Sequence, residues 1–395
     1  MKKILLILLT IPLLFGSCEK DNNNTNGVVS NTWTKTYGGI GYDIGRSVQQ
    51  TTDGGYIITG ITLSFSNGDY DVYLIKTDDN GIEQWTKTYG GTDFDDGYSV
   101  QQTTDSGYII TGFTRSFGNG DYDVYLIKMD VNGVEQWSKT YGGTGDDIGR
   151  SVQQTTDGGY IISGSTNSFG NGGSDVYLIK TDGIGMEQWT KTYGGIGDDD
   201  GYSVQQTTDG GYIIIGYTNS FGNGDYDVYL IKMDDNGIEQ WSKTYGGTGF
   251  DDGYSVQQTI DGGYIITGHT NSLGNAFEVY LIKTDGNGVK QWSKIYGGTD
   301  NDGGTSVQQT TDGGYIITGS VNTLGNGYEV YLLKTDGNGV EEWSKAFGGT
   351  GDDIGKSVQQ TTDDGYIITG YTNSFVNGDY DLYLIKTDSN GDVHP

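Results

Sequence analysis

The sequence contains few cysteines, prolines and histidines, and fewer basic than acidic residues. The chain of 395 residues has one cysteine, Cys18, and two prolines, Pro12 and Pro395. One cysteine excludes an internal disulfide, and the two histidines form no His/Cys spacing typical of a zinc site. Basic residues number 22 against 52 acidic ones, which gives a formal net charge of −30. This balance excludes a basic nucleic-acid footprint, because an acidic surface repels phosphate.

Glycine and tyrosine are abundant, with 70 and 31 residues. Apolar and aromatic runs such as Tyr56–Ile58 and Val72–Ile75 recur along the chain, which argues against disorder despite the high charge. Aromatic and β-branched runs separated by glycine, with almost no proline, are typical of strands joined by tight turns. The composition therefore predicts an all-β protein.

The first residues predict an export signal. Lys2 and Lys3 precede an apolar run over residues 4–15, which is too short to span a bilayer, and small residues then lead to Cys18. Residues 14–18 resemble a bacterial lipobox, and this resemblance implies that residues 1–17 are removed and that Cys18 is lipidated. A plain secreted protein with a leftover cysteine is the alternative, although an exposed thiol is otherwise a liability.

The residues after Cys18 refine the predicted location. Glu19, Lys20 and Asp21 resemble the surface-export signal of Bacteroidota lipoproteins, and the polar stretch up to Gly27 predicts a flexible tether over residues 18–27. We therefore expect a protein anchored by lipid in the outer membrane, at the cell surface. The anchor is its only predicted contact with the membrane.

From residue 28 to residue 395 the chain is one array of repeats. The repeats are marked by tryptophans spaced 52, 52, 52, 52, 51 and 51 residues apart. These tryptophans are Trp33, Trp85, Trp137, Trp189, Trp241, Trp292 and Trp343. Each unit holds four strand-like runs, here named a to d, which in the third unit cover 151–155, 160–164, 175–180 and 187–193. Short Asp/Gly and Asn/Gly connections join a to b and c to d, as in tight hairpins.

Seven four-stranded units of about 50 residues predict a seven-bladed β-propeller. The ends of the chain support a closed ring. The last unit stops at Pro395 without a strand d, whereas residues 28–37 form a spare strand d before the first unit. The N-terminal strand is therefore predicted to complete the last blade. A β-roll or β-helix is the alternative, but its repeats are shorter.

The repeats resemble a known family. Residues 141–147, 157–164 and 175–182 are similar to the bacterial β-propeller repeat called SBBP, and the similarity covers all seven units. This resemblance implies an extracellular propeller without a defined activity. Residues 234–241 also resemble the Asp…Gly…Trp docking motif of quinoprotein dehydrogenase blades. We expect this motif to have only a packing role here, because quinoprotein dehydrogenases usually have eight blades, whereas this chain has seven units and no vicinal cysteine pair. We expect the tryptophans to pack between blades, with Trp189→Ala costing ~3–5 kcal/mol if the residue is buried.

Acidic residues recur in four columns, and most of them are expected to cap turns. The column in the d–a loop follows Gly-Gly-x-Gly-x-Asp in five units, which resembles the opening of calcium-binding nonapeptide repeats. A calcium site is therefore a hypothesis for this column, with a loop-capping role as the favoured alternative. The column comprises Asp43, Asp95, Asp147, Asp199, Asp251, Asp302 and Asp353.

Two columns on the face of the longer b–c and d–a loops vary while their neighbours repeat. The first, just before strand a, is predicted to line the central channel. It comprises Arg46, Tyr98, Arg150, Tyr202, Tyr254, Thr305 and Lys356. The second, just after strand b, is predicted to be exposed. It comprises Ile61, Phe113, Ser165, Tyr217, His269, Ser320 and Tyr371. Neutral drift would explain both columns, whereas a functional interpretation is a recognition surface of tyrosines and cations.

Catalysis would require an asymmetric group of residues, and the sequence does not reveal one. His269 is the only histidine inside a complete unit and is expected to act as an aromatic substitute rather than a base. The sequence thus predicts a monomeric, non-catalytic binding or scaffold module for an extracellular glycan or protein. No cofactor is required, and Ca²⁺ is possible. The alternatives are a propeller enzyme acting on polysaccharide, a quinoprotein-like dehydrogenase, and a passive structural spacer.

Overall fold

The structure is a computed structural model that describes residues 31–272, 276–323, 327–376 and 379–394. The predicted signal segment 1–17, the lipidation site Cys18 and the tether 18–27 lie outside the described residues. Among the described residues, no helix is long and apolar enough to cross a membrane.

The described chain forms 28 strands. Strand β1 (Trp33–Tyr37) precedes the first full blade. Blade 1 is β2 (Asp43–Gln50), β3 (Tyr56–Thr62), β4 (Asp71–Thr77) and β5 (Glu83–Tyr89). Blade 2 is β6 (Asp95–Gln102), β7 (Tyr108–Thr114), β8 (Asp123–Met129) and β9 (Glu135–Tyr141). Blade 3 is β10 (Asp147–Gln154), β11 (Tyr160–Thr166), β12 (Asp175–Thr181) and β13 (Glu187–Tyr193).

The second half repeats this pattern. Blade 4 is β14 (Asp199–Gln206), β15 (Tyr212–Thr218), β16 (Asp227–Met233) and β17 (Glu239–Tyr245). Blade 5 is β18 (Asp251–Gln258), β19 (Tyr264–Thr270), β20 (Glu278–Thr284) and β21 (Lys290–Tyr296). Blade 6 is β22 (Gly303–Gln309), β23 (Tyr315–Thr323), β24 (Gly327–Thr335) and β25 (Glu341–Phe347). Blade 7 is β26 (Asp353–Gln360), β27 (Tyr366–Thr372), β28 (Asp381–Thr387) and the N-terminal β1.

The seven antiparallel sheets confirm the predicted seven-bladed propeller. Strand β1 pairs with β28, with Trp33 opposite Lys386 and Tyr37 opposite Leu382. The N-terminal strand therefore supplies the missing outer strand of the last blade, as the deficit at Pro395 predicts. Because β28 runs towards the c–d hairpins, Trp33 enters the fold on the face of the tight turns, opposite the long loops.

The hydrophobic core lies between neighbouring blades. Strands b and c are buried along their whole length in blades 1, 2 and 3, where both faces of the sheet are covered. One typical cluster joins Ile57 and Leu74 of blade 1 to Val100, Tyr108 and Tyr125 of blade 2. Each blade thus buries its surface against the next, and no blade is expected to be stable by itself.

The inner strands are joined by a ring of side-chain to backbone hydrogen bonds. In each Ser-Val-Gln-Gln segment, the first glutamine accepts a hydrogen bond from a backbone N–H of the next blade, such as Gln49 Oε1 from Gln102 at 2.6 Å. The second glutamine accepts from the preceding blade, such as Gln102 Oε1 from Thr52 at 2.9 Å. Both bonds occur at all seven junctions, including the closing junction of Gln359 with Gln50.

Each strand c carries a buried lysine that the sequence reasoning missed. Lys128, for example, ion-pairs with Asp105 of the a–b turn at 2.9 Å and donates to its neighbour Met129 O. Although partial burial acts to raise it, hydrogen bonds from Thr103 and Lys128 lower the pKa of Asp105 to about 2. The equivalent ion pair occurs in all seven blades. The turn aspartates therefore neutralise buried charges as well as capping turns.

The tryptophans pack between blades, as predicted, but they are half-buried rather than buried. Trp189 of blade 3 packs edge-to-face on Tyr212 of blade 4, with ring centroids 6.0 Å apart, and covers Gly237 of the next c–d turn. A Cβ on Gly237 would lie 2.8 Å from the Trp189 ring, and its φ of 70° also favours glycine. Beside it, the Tyr193 hydroxyl donates to Gly237 O at 2.5 Å.

We predict that Trp189→Ala lowers the free energy of unfolding by about 2–3 kcal/mol, below the value for a fully buried tryptophan, because part of the ring already faces solvent. Tyr193→Phe at the same junction should cost about 1 kcal/mol, since it removes one hydrogen bond and little packing. The strand position of Tyr193 is occupied by Phe347 in blade 6, so the fold tolerates that change. Urea denaturation of both variants measures the difference, and an unchanged midpoint for Trp189→Ala would contradict inter-blade packing as the role of the tryptophan.

Candidate functional site

The first variable column sits on a β-bulge. In blade 1 the pairing of β2 with β3 shifts between Gly45 and Ser47, so Arg46 is the extra residue that has no partner in the ladder. The same shift occurs at the equivalent position of all seven blades. A bulge re-aims one side chain away from the regular sheet surface. The residue at this position is therefore free of pairing constraints, which explains why the column varies.

The bulge residues meet in a cavity of about 680 Å³ around the axis of the ring, on the face of the long loops. All seven members of the first column line it. They are Arg46, Tyr98, Arg150, Tyr202, Tyr254, Thr305 and Lys356. The serines that follow the bulges also contribute to the wall. The sequence thus predicted the position of this column, while ligand binding by these residues stays a prediction.

Two of the three cations in this cavity are already neutralised. Arg46 makes a bidentate contact with Asp96 of the next blade, at 2.9 Å and 2.6 Å, and Arg150 makes the equivalent contact with Asp200. Burial would lower the pKa of Arg46, but the Asp96 carboxylate more than offsets it and holds that pKa above its usual value. The guanidinium forks of both arginines are therefore occupied within the protein, and ligand binding by these two residues stays a prediction.

The arginine pairs follow a register rule. The bulge residue of one blade faces the second residue of strand a in the next blade, where Asp96 and Asp200 stand. Lys356 is the bulge residue of blade 7, and the corresponding residue of blade 1 is Ile44. Lys356 accordingly makes no ion pair or hydrogen bond with the residues that the structure describes; its one contact of note is with the Tyr371 ring, 5.6 Å from Nζ.

The surroundings of Lys356 disfavour its positive charge, but they do not remove it at neutral pH. Burial, and then the positive charge of Arg46, lowers the pKa of Lys356 to about 8. Asp302 is the acidic side chain in the cavity wall, and its two oxygens accept hydrogen bonds from the backbone N–H groups of Gly298 and Asn322. Among the cavity-lining residues described, Lys356 is thus the cation without a counter-ion.

The cavity is asymmetric because blade 6 has small residues where other blades have large ones. Gly303, Thr305 and Ser320 take positions that hold aspartate, isoleucine, arginine or tyrosine in most other units. A Cβ on Gly303 would lie 2.7 Å from His269 Nε2, so this glycine leaves room for the imidazole ring. The cavity therefore extends outwards over blades 5 and 6, where Phe277 also lines it. This group of departures is the asymmetry that inspection of the sequence missed.

His269 forms part of an aromatic wall. Its ring lies 4.6 Å from the Tyr254 ring and 6.1 Å from the Phe277 ring, measured between centroids. Burial, and then the charge of Lys356, lowers the pKa of His269 to about 4, so the ring is neutral at physiological pH. In the part of the chain that the structure describes, no carboxylate hydrogen-bonds to this imidazole, which leaves it unlike the base of a catalytic triad.

The second variable column forms a layer behind the first, and the expectation of a wholly exposed column is wrong. Phe113 is only 5% exposed and packs edge-to-face on Tyr122, with centroids 4.8 Å apart. Tyr217 and Tyr371 are half-buried and stack on loop tyrosines in the same way. Of this column, only His269 and Ser320 line the cavity. Phe113, Tyr217 and Tyr371 instead pack on neighbouring aromatic rings.

The aspartates of the d–a loops act as loop caps. Asp43 Oδ2 accepts hydrogen bonds from Gly39 N at 2.9 Å and from Ser64 Oγ at 2.5 Å. The backbone bond recurs in all seven loops. Within the described ranges, no group of three or more His, Cys, Asp or Glu side chains is placed to hold a metal ion. The contacts agree with the capping interpretation, and calcium binding by this column stays a prediction.

The same aspartates lie next to a second carboxylate. A Cβ on Gly38 would lie 2.1 Å from Asp381 Oδ1 and 2.7 Å from Asp43 Oδ2, so the two carboxylates approach each other across this glycine. Burial, with the Asp43 charge adding to it, raises the pKa of Asp381 to about 6. Like-charged pairs of this kind recur at the other junctions, for instance at Gly90 between Asp71 and Asp95.

Comparison with known proteins adds a distant relative. No family model matches the chain. The regulatory protein FlaEY of Caulobacter vibrioides is 23% identical over 355 residues, which cover 81% of this chain and 34% of that protein. The chain therefore spans about a third of the length of this curated relative. The similarity to SBBP repeats remains a resemblance of motifs.

Solved structures agree on the fold. The WD40 domain of Pan2 from Neurospora crassa is similar with a TM-score of 0.53 at 10% identity, covering 92% of this chain and 98% of that one. A protein of unknown function from Dyadobacter fermentans has a TM-score of 0.51 at 12% identity, covering 90% of this chain and 99% of that one. At these identities the similarity shows the propeller fold alone.

The carboxylate pairs predict an unusual dependence of stability on pH. The pKa of Asp381 in the folded protein, about 6, lies above its ordinary value of 3.8, so the folded state binds this proton more tightly than the unfolded state. Stability should therefore rise as the pH falls from about 7.5 to 5. Asp381→Asn should stabilise the protein by on the order of 1 kcal/mol at pH 7.5 and by much less at pH 5.

Asp105→Asn is the control of opposite sign. The pKa of Asp105 is lowered from 3.8 to about 2. Its ionised carboxylate therefore stabilises the folded state fully above pH 3.8, and this stabilisation is lost only as the pH falls towards 2. This variant should be destabilised at pH 7.5, because buried Lys128 loses its charged partner. Thermal denaturation between pH 2.5 and 8 measures both effects. An Asp381→Asn variant equally stabilised at pH 5 and pH 7.5 would contradict the raised pKa of Asp381.

Proposed function

We propose that the protein is a cell-surface binding module, anchored by lipid at Cys18, that captures an extracellular glycan in the cavity on the face of the long loops. The observation that carries this proposal is the asymmetric cavity of about 680 Å³, lined by tyrosines, hydroxyl groups and an unpaired lysine. Its size falls within the range of small-ligand pockets, and its mixture of aromatic walls and a few polar groups is typical of them.

The position of the first strand supports this arrangement. Asn31 and Trp33 contact Asp79 in the c–d turn of blade 1, on the face opposite the cavity. The described chain thus enters its first strand on the face opposite the cavity, so this entry does not obstruct the cavity.

A binding role has more support than an enzymatic one. The sole histidine in the cavity wall lacks an orienting carboxylate among the described residues, and its low pKa makes it a weak base. Tyrosine rings and hydroxyls, in contrast, suit the alternating apolar and polar faces of a sugar. A protein partner at the same face is the remaining alternative.

We predict that a glycan raises the melting temperature of the chain covering residues 19–395, because a ligand that binds only the folded state stabilises it. A panel of oligosaccharides and polysaccharides provides the screen. Thr305→Tyr with Ser320→Tyr should abolish the shift by filling the cavity over blade 6. Both positions hold tyrosine in other blades, as at Tyr254 and Tyr371, so the variant should still fold.

Thr52→Tyr is the matched control, because Thr52 is exposed on the tight-turn side and lies outside the cavity. It should leave the glycan-dependent shift unchanged. A shift that persists in the cavity-filling variant would place the ligand elsewhere and contradict the proposal. The absence of any shift across the panel would contradict a glycan ligand and favour a protein partner.

A further inference from the structure

Two arginines of the cavity show how a cation at the bulge position is neutralised elsewhere in the ring. Arg46 and Arg150 are held by Asp96 and Asp200, whose side chains are almost completely buried. These pairs close the gaps between blades 1 and 2 and between blades 3 and 4. The fold thus supplies an acidic partner at a fixed place, and the partner belongs to the next blade.

Lys356 occupies the same position without that partner. Its neighbouring blade presents Ile44, and Asp96 and Ile44 are equivalent residues of strands β6 and β2. A buried ammonium group without a counter-ion is unfavourable unless water or a ligand solvates it. Lys356 lines the cavity, where solvent or a ligand can reach it.

The acidic groups near this cavity do not compensate Lys356. Asp302 is 3% exposed and hydrogen-bonds backbone N–H groups with both oxygens. Asp252 holds the position of Asp96 in blade 5, but it accepts a hydrogen bond from the Tyr254 hydroxyl and does not line the cavity. The charge available to a ligand is therefore a single positive one.

The remaining walls are aromatic and carry hydroxyl groups. The His269 ring occupies the space beside Gly303 and contacts the Tyr254 ring at an interplanar angle of 34° and the Phe277 ring at 73°. Such a surface packs on the C–H face of a sugar ring, while the serine hydroxyls of the wall can bond its hydroxyl groups.

We infer that the cavity binds an acidic sugar carrying one negative charge, with its anionic group on Lys356 and its ring against the wall of Tyr254, His269 and Phe277. This inference deepens the proposed function and rests on it. A carboxylate and a sulfate ester share the required chemistry, since each carries one negative charge and several acceptor oxygens.

Ile44→Asp provides the test, because it leaves the lysine in place and supplies the internal counter-ion that Arg46 and Arg150 already have. Binding of D-glucuronate, D-glucose 6-sulfate and neutral D-glucose to the mature chain is measured by NMR titration. At least one acidic sugar should bind the unaltered protein at least about tenfold more tightly than D-glucose. In Ile44→Asp, that preference should disappear.

Ile148→Asp is the matched control. It introduces the same residue at the same position of strand β10, where the facing bulge residue is Tyr98 instead of Lys356. It should keep the preference for the acidic sugar. Lys356→Arg introduces the residue that blades 1 and 3 have at this position, and it should also keep the preference for the acidic sugar. Lys356→Gln should lose this preference.

The three probes separate the possible results. Binding of glucuronate alone, or of the sulfate alone, supports the inference and identifies the anionic group. Equal binding of D-glucose and the acidic sugars, or an acidic preference that survives Ile44→Asp, would overturn the inference while leaving a glycan-binding cavity intact. No binding of any probe would overturn the inference too, and the cavity-filling variant then decides separately whether other glycans bind there.

Discussion

The structure depends on the hydrogen bonds that join the inner strands into a ring. Each Ser-Val-Gln-Gln segment offers two glutamine carbonyls to backbone N–H groups of its neighbours, and the bonds occur at every junction, including that between Gln359 and Gln50. A blade without its neighbours would lose these hydrogen bonds and would expose the apolar faces of its strands to water. The repeats therefore need one another, and closure by β1 is needed because the buried, apolar strand β28 would otherwise become the outer edge of its sheet.

The hydrogen-bonded ring of inner strands leaves one residue of each blade, the bulge residue, free to vary. Strand a must pair with strand b and also present serine and glutamine to both neighbours, and the bulge absorbs the mismatch by leaving one residue out of the ladder. That residue can change without cost to the ring, and its side chain points to the axis. Sequence variation that would be damaging in strands b or c is therefore concentrated at positions that line the cavity and could contact a ligand. In this way seven near-identical units build an asymmetric cavity.

Periodicity made the architecture predictable, whereas the site depends on relations between units. Tryptophan spacing, turn residues, the spare strand at the N-terminus and the missing strand at the C-terminus indicated blade number and closure, since each can be recognised by comparing one repeat with the next along the sequence. The pairing of Arg46 with Asp96 could not be read in this way, because its partners stand in consecutive blades and only the three-dimensional stagger brings them together. The buried Lys128 was missed for another reason: a fully repeated lysine looks like solvated surface until its aspartate is seen.

A nearly perfect repeat changes what counts as a functional signal. Carboxylates are so common here that none is informative by itself, and the arginines look like ligand-binding groups until their partners are found. What distinguishes Lys356 is that it breaks a rule the same molecule obeys twice, because the blade that follows it offers Ile44 in place of an aspartate. The positive charge of Lys356 has no counter-ion among the described residues, which is unfavourable for the protein without a ligand. A ligand that supplies a negative charge there would gain binding energy from the ion pair that the fold does not provide.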